Sequence, residues 1–306
     1  MNGILAILLA SLFWGTTGTM AASVPDVTSY AVGALSTGGG GLLLALTAYK
    51  SLYKDWTTLR NHVGLCLLGG VCVALYPMAF YTSMRFSGVA IGTVVCIATA
   101  PFAAALFERL ISKSTGWQWR WLASVGLGVV GITLMTLPQT SNASVNQSSA
   151  DLIKDQFAIG ILFAVLGGFT YAGYTWVAKR LIEHGVTSTS AMGCQFAISA
   201  LILLPSLWWT GQAWLTDSHH LFVAGYMVVI PICLGYLLFG YGLKTVAASQ
   251  ATLLSLLEPV IATLLAVTIV GETLSWFGWL GMASIMACLI MQSWPTKSVE
   301  LTPSSP

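Results

Sequence analysis

The chain has 306 residues, of which 7% are charged and 56% hydrophobic, with a net charge of +2. A soluble domain carries about a quarter charged residues, so water-soluble classes are excluded. A long basic run is absent and so is a basic-aromatic surface segment, which removes nucleic acid as a partner.

Ten apolar stretches follow one another, near 2–22, 29–49, 62–83, 88–108, 117–137, 157–177, 188–210, 221–242, 247–270 and 274–294. About 20 apolar residues at helical rise match a hydrocarbon core of ~30 Å, so each reads as a transmembrane helix. The first is too long for a signal-peptide core despite Ala21-Ala22, and residues 1–10 lack the Lys or Arg of a basic leader. If all ten cross, one face collects Lys50, Lys54, Arg60, Arg109, Lys113, Arg120, Lys179, Arg180, Lys244 and Lys297, while the other holds Arg85 and Lys154. That asymmetry predicts both termini on the cytoplasmic side.

The six cysteines all lie in expected helices without a CxxC or Cys/His cluster, so neither a metal site nor a disulfide framework is expected. A polar segment at 138–156, rich in Ser, Asn and Gln, divides the chain into a first five-helix half at 1–137 and a second at 157–294, with a tail from 295 to 306. Gly3-Ile4-Leu5 through Trp14 parallels Gly160-Ile161-Leu162 through Tyr171; Pro101 parallels Pro259, and Trp121-Leu122 parallels Trp279-Leu280. Five crossings reverse the side of the chain, so a repeat of this kind has inverted topology. Many secondary transporters are built so, with the solute site near the midplane. The expected fold is an all-α membrane protein of ten transmembrane helices in two inverted five-helix repeats.

Glu258 falls mid-way along the ninth stretch, and an ionisable group there costs a few kcal/mol and needs a partner, a cavity or a proton. It reads as a proton-coupling acid or a counter-charge for a cationic solute; the alternative is a structural acid bonded to backbone freed by Pro259. Thr252 and Ser255 precede it on roughly the same face. Pro101 and Pro259 are candidate helix breaks at matched positions, and Pro77 and Pro231 also fall inside helices. At membrane depth, Trp14, Tyr76, Tyr81, Tyr171, Tyr174, Tyr236 and Tyr241 carry polar tips that need partners or a wet cavity, as does Gln195. Trp14, Tyr76, Tyr81, Tyr171, Gln195, Tyr236 and Glu258 are the candidate substrate-binding residues, set against ordinary helix packing. The glycine pairs and the run Gly38-Gly39-Gly40-Gly41 suit close helix approach.

Phe13-Trp14-Gly15, Pro101 and Leu257-Glu258-Pro259 leading to Gly271-Glu272-Thr273-Leu274 resemble the drug/metabolite transporter superfamily, in its EamA-type branch of ten-helix carriers. The first half departs from that pattern in lacking a Gly-Glu pair after its proline. An Arg that relatives carry early in the second helix is replaced by the Gly33-Ala34-Leu35-Ser36 region. The resemblance implies gradient-driven efflux of amino acids, other metabolites or drugs, through a cavity between helices one, three, four, six, eight and nine. Metabolite uptake or facilitative exchange is the alternative. An intramembrane enzyme lacks the HExxH, GxSxG or paired-carboxylate signature, and a passive channel lacks a charged pore ring. Expected partners are a small-molecule substrate, the lipid bilayer, protons and a second copy in a homodimer, with no cofactor and no metal. The expected location is a bacterial inner (plasma) membrane.

Overall fold

A computed structural model of the protein describes residues 1–24, 26–87, 89–111, 119–136, 150–265, 267–268 and 276–293. The linker core at 138–149, the tail at 295–306, Glu272, Lys113, Trp117 and Trp294 lie outside the described residues.

In chain order the elements are α1 (Gly3–Gly15), α2 (Thr17–Ala22), α3 (Ser29–Gly33), a π-helical stretch Ala34–Gly39, α4 (Gly40–Thr47), α5 (Tyr49–Lys54), α6 (Trp56–Asn61), α7 (Val63–Ser87), α8 (Val89–Leu110), α9 (Trp119–Thr136) and α10 (Ala150–Glu183). Then come α11 (Ser188–Leu203), a short 3-10 turn, α12 (Leu207–Thr210), a second such turn, α13 (Ser218–Met227), a second π-helical stretch Val228–Leu234, α14 (Gly235–Gly242), α15 (Ala248–Leu254), α16 (Leu257–Leu265) and α17 (Trp276–Ser293). Among the described residues there is no strand. Among the described residues, seven helical stretches are long and apolar enough to cross a membrane: Gly3–Ala21, Tyr30–Thr47, Val63–Ser83, Phe157–Glu183, Ser188–Thr210, Ser218–Gly242 and Ala248–Leu265.

Helix is the only economical backbone here, because in hydrocarbon each N–H and C=O must be satisfied within its own segment. Hydroxyls obey the same constraint by folding back on their own helix. Ser11 donates to the Ile7 carbonyl at 2.9 Å, Ser83 to Phe80 at 2.7 Å, Thr170 to Gly167 at 2.9 Å and Ser284 to Leu280 at 3.0 Å. Helix starts outside the apolar stretches use side-chain caps: Asn2 accepts from the Ile4 amide, and Thr28 from the Ala31 amide. The outer surface is apolar, with Leu162 67% exposed, Leu201 78% and Trp208 83%. So broad an apolar exterior suits lipid and not water.

Packing pairs elements across the chain's midpoint. α1 lies against α14 and α16, while α10 lies against α7 and α8; α4 contacts α11, and α9 contacts α17. One core joins Trp14, Leu44, Phe196, Tyr236, Phe239 and Leu254. The start of α4 meets the second π-helical stretch at Gly40, where a Cβ would stand 2.5 Å from the Ile232 Cβ and 3.1 Å from the Val228 carbonyl oxygen. Only glycine permits that approach. Pro231, inside the second stretch, has no N–H to donate into the helix, and the ladder there takes the wider π register, with the Gly235 amide bonded to Ile230.

Candidate solute-binding site

A half-open cavity lies between α1, the two π-helical stretches, α7, α10, α14 and α16. The chain breaks at Ser255-Leu256 between α15 and α16, and Glu258 stands in the first turn of the second piece, facing this cavity. Among the described residues, no hydrogen bond or ion pair reaches its carboxyl. A broken helix opening onto a central cavity is a recurrent way to place a solute or ion group inside a membrane.

Aromatic rings form most of the wall. Trp14 and Tyr236 have ring centroids 4.9 Å apart, Tyr236 and Tyr174 6.0 Å, Tyr174 and Tyr171 5.3 Å, Tyr171 and Tyr76 5.6 Å, and Tyr76 stacks on Phe80 at 5.6 Å. Their polar tips are largely committed to protein. The Trp14 indole N–H donates to the Pro231 carbonyl at 2.8 Å, the Tyr171 and Ser255 hydroxyls bond at 2.7 Å, and those of Tyr174 and Tyr236 bond at 2.9 Å. The Trp14 contact depends on Gly235, where a Cβ would sit 2.8 Å from the indole nitrogen.

The lining lies on one half of each helix, and bonds between loops gather at the other. Both the amide and the hydroxyl of Thr187, at 2.8 and 2.7 Å, donate to the Asp55 carboxylate. The Ser249 amide and hydroxyl donate to Glu108 at 3.1 and 2.5 Å. Lys179 Nζ donates to the Leu243 carbonyl, and the Tyr241 hydroxyl to that of Met1, each at 2.9 Å. In the two carboxylate latches, an acid from one element caps the start of another helix, where free N–H groups favour an anion. Burial pushes the Asp55 carboxyl up; the Thr187 hydroxyl and amide, Ser190 and the Lys54 charge outweigh it, and the group lies below its ordinary value. The opposite end is bridged by Thr16 with Tyr226 at 2.7 Å and by Ser23 with His219 at 3.3 Å, neither involving a carboxylate.

The sequence matches the EamA-like transporter family over residues 1–137 and again over 158–294. This chain belongs to the EamA-like transporter family. The EamA-like family is part of the drug/metabolite transporter superfamily, so the chain is an integral membrane transporter with a small-molecule substrate. A transporter of Bacillus subtilis, YwfM, is 36% identical over 294 residues, covering 94% of this chain and 93% of that protein. An inner membrane transporter of Salmonella typhimurium, YicL, is 22% identical over 299 residues, covering 95% of each. In fold, the EamA-like chain is similar to a protein of solved crystal structure at TM-score 0.74 and 19% identity, covering 95% of this chain and 96% of the other.

The cavity brings together six of the seven candidate binding residues: Trp14, Tyr76, Tyr81, Tyr171, Tyr236 and Glu258, with Tyr174 beside them. Gln195 is not among the lining residues. It is fully buried on α11, its Nε2 donates to the Ala191 carbonyl at 3.0 Å, and its other amide atom presses on Gly69 of α7. Tyr241 sits at the latch end. α8 runs through Pro101 unbroken, and the interruption near Pro259 precedes Glu258. Thr252 returns its hydroxyl to the Ala248 and Ser249 carbonyls. Thr17, Ser36, Thr37, Phe80 and Met227 also line the cavity and were not singled out from sequence. Ser36 and Thr37 come from the second apolar stretch, which the family resemblance left out of the wall. The nearby four-glycine run is the signal that would have found them, since it marks where that helix comes closest to its neighbours.

Proposed function

We propose that the chain is a secondary transporter that moves small organic solutes by alternating access, with the Glu258 cavity as the solute site and the Glu258 carboxyl as the proton-coupling acid. On this reading α8, α9 and α17 cross the membrane too, giving ten crossings in two inverted halves, 1–137 and 157–294. Three observations support the inverted halves. The family matches twice along the chain. The packing is exchanged between halves, as α1 on α14 answers α10 on α7, and α1 on α16 answers α10 on α8. The bonds joining Asp55 to Thr187, Glu108 to Ser249 and Met1 to Tyr241 link segments that ten crossings would all put on the basic, cytoplasmic side.

The observation that carries the functional reading is one acid, alone among the described lining residues, in a half-open cavity at the interruption between α15 and α16. A carboxyl there can hold a proton from one side and exchange it when access switches, which couples solute movement to the proton gradient. The present geometry corresponds to a state sealed on the latch side, and the opposite state requires both carboxylate latches to part. On this reading solute leaves as protons enter.

The test is solute accumulation in proteoliposomes with and without a pH gradient, comparing wild type with Glu258→Gln. The expected result is that the variant loses gradient-driven accumulation and keeps exchange. Equal accumulation by both proteins would overturn the coupling role.

A further inference from the structure

We propose that the solute is an organic cation, an amine beside a flat aromatic or apolar body, rather than an amino acid, a carboxylic acid or a phosphate ester; this rests on the Glu258 cavity being the solute site. The described lining contains one acid and no Lys, Arg or His. A negative group entering it meets no counter-charge. The donors it meets are neutral hydroxyls such as those of Tyr76 and Tyr81, because the Trp14 indole N–H and the Tyr171 hydroxyl are already bonded within the protein and Tyr174 and Tyr236 bond to each other. The Thr17 hydroxyl is turned back to the Trp14 carbonyl at 2.7 Å. Burying an anion there, beside an acid and with no counter-charge in the described lining, is costly.

For a cation the same wall is attractive. Trp14, Tyr171 and Tyr236, whose polar tips are bonded within the protein, together with Tyr76 and Phe80, offer rings to the cavity, and the face of an aromatic ring is its negative side. Glu258 supplies a full counter-charge, and no cation among the described lining residues competes for it. Two basic residues of these helices are occupied at the latch end: Lys179 on the Leu243 carbonyl, and Lys244 over the Tyr241 ring at 5.1 Å. A zwitterion would satisfy its ammonium and strand its carboxylate against rings and an acid. Charge therefore selects, while the ring wall tolerates bodies of varied shape.

The test holds the body constant and changes the charge: tryptamine, tryptophan and indole-3-acetate share one indole. Binding of radiolabelled tryptamine to the purified full-length protein is measured by equilibrium dialysis, with all three as competitors, and then as flux in proteoliposomes. The expected result is tryptamine preferred at least ~10-fold over tryptophan, with indole-3-acetate inert. Glu258→Gln should abolish the preference and Glu258→Asp keep it; the wild-type series decides even where a variant does not fold. Absence of tryptamine binding, or equal competition by tryptophan or indole-3-acetate, overturns the inference. Selective tryptamine binding without saturable flux sinks the transport reading and leaves the cation preference standing. Saturable flux indifferent to charge does the reverse.

Discussion

Glu108→Gln tests whether the latch end is a gate. The wild-type carboxylate accepts two bonds from Ser249, at 3.1 and 2.5 Å, and so fastens the end of α8 to the start of α15. Glutamine keeps the shape and one acceptor, but removes the charge and turns an N–H₂ toward a hydroxyl. Bonds to an ionised acceptor contribute ~1.5–3 kcal/mol against ~0.5–1.5 for neutral ones, so two bonds lose about 2 kcal/mol. Glu108 is half-buried, so solvent screening lowers this to roughly 1–2 kcal/mol. If the latch exists only in the sealed state, the population open on that side rises about 5- to 30-fold. Spin labels at Thr57→Cys and Lys244→Cys, both exposed at the latch end, would report it in a background lacking the six native cysteines. A second, longer distance should grow in by double electron–electron resonance. An unchanged distance distribution in a folded, transport-active variant would refute the gate.

Asp55→Asn should weaken the companion latch by ~1–3 kcal/mol. Because the folded Asp55 carboxyl lies below its ordinary value, its contribution is complete above the normal carboxylate range and is lost only as pH falls through the lowered value. The ratio of variant to wild-type transport should therefore be the same at pH 5.5 and 8, and a ratio that changes would contradict the assignment. Gly235→Ala should push the Trp14 indole off the Pro231 carbonyl, lowering Tm in detergent and weakening solute binding by ~1–3 kcal/mol. In a Trp14→Phe background the same change should cost much less, which a double-mutant cycle measures. Gly40→Ala should push the start of α4 off the second π-helical stretch and lower Tm, and Ile232→Ala should restore most of the loss. A loss unrelieved by that second change would mean the two residues are not the contact.

The class, and the residues of the candidate cavity, were legible in the sequence for one reason: water and hydrocarbon differ so much that apolar runs, and the cost of Glu258 within one, need no fold to be recognised. The expected stretch 62–83 corresponds to a helix at Val63–Ser87, and that at 221–242 to the helical run Ser218–Gly242. Trp14, Tyr171 and Tyr236 stood out because buried polar tips need partners, and each has one. The same reasoning selected Gln195, whose amide meets Gly69 and its own helix instead of the cavity. Both the core and the lipid are apolar, so periodicity cannot tell which face of a membrane helix turns inward. Ser36 and Thr37 were missed for that reason, and helix one and helix two offered no contrast to separate them.

Thus the sequence alone determined that the chain is helical, lies in a membrane and holds a costly acid at mid-depth, because those properties depend on local transfer free energies. Which rings surround that acid, and that Asp55 bonds Thr187 and Glu108 bonds Ser249, were decided only by tertiary structure. Those contacts join residues 132 and 141 positions apart, and no local preference encodes such a pairing.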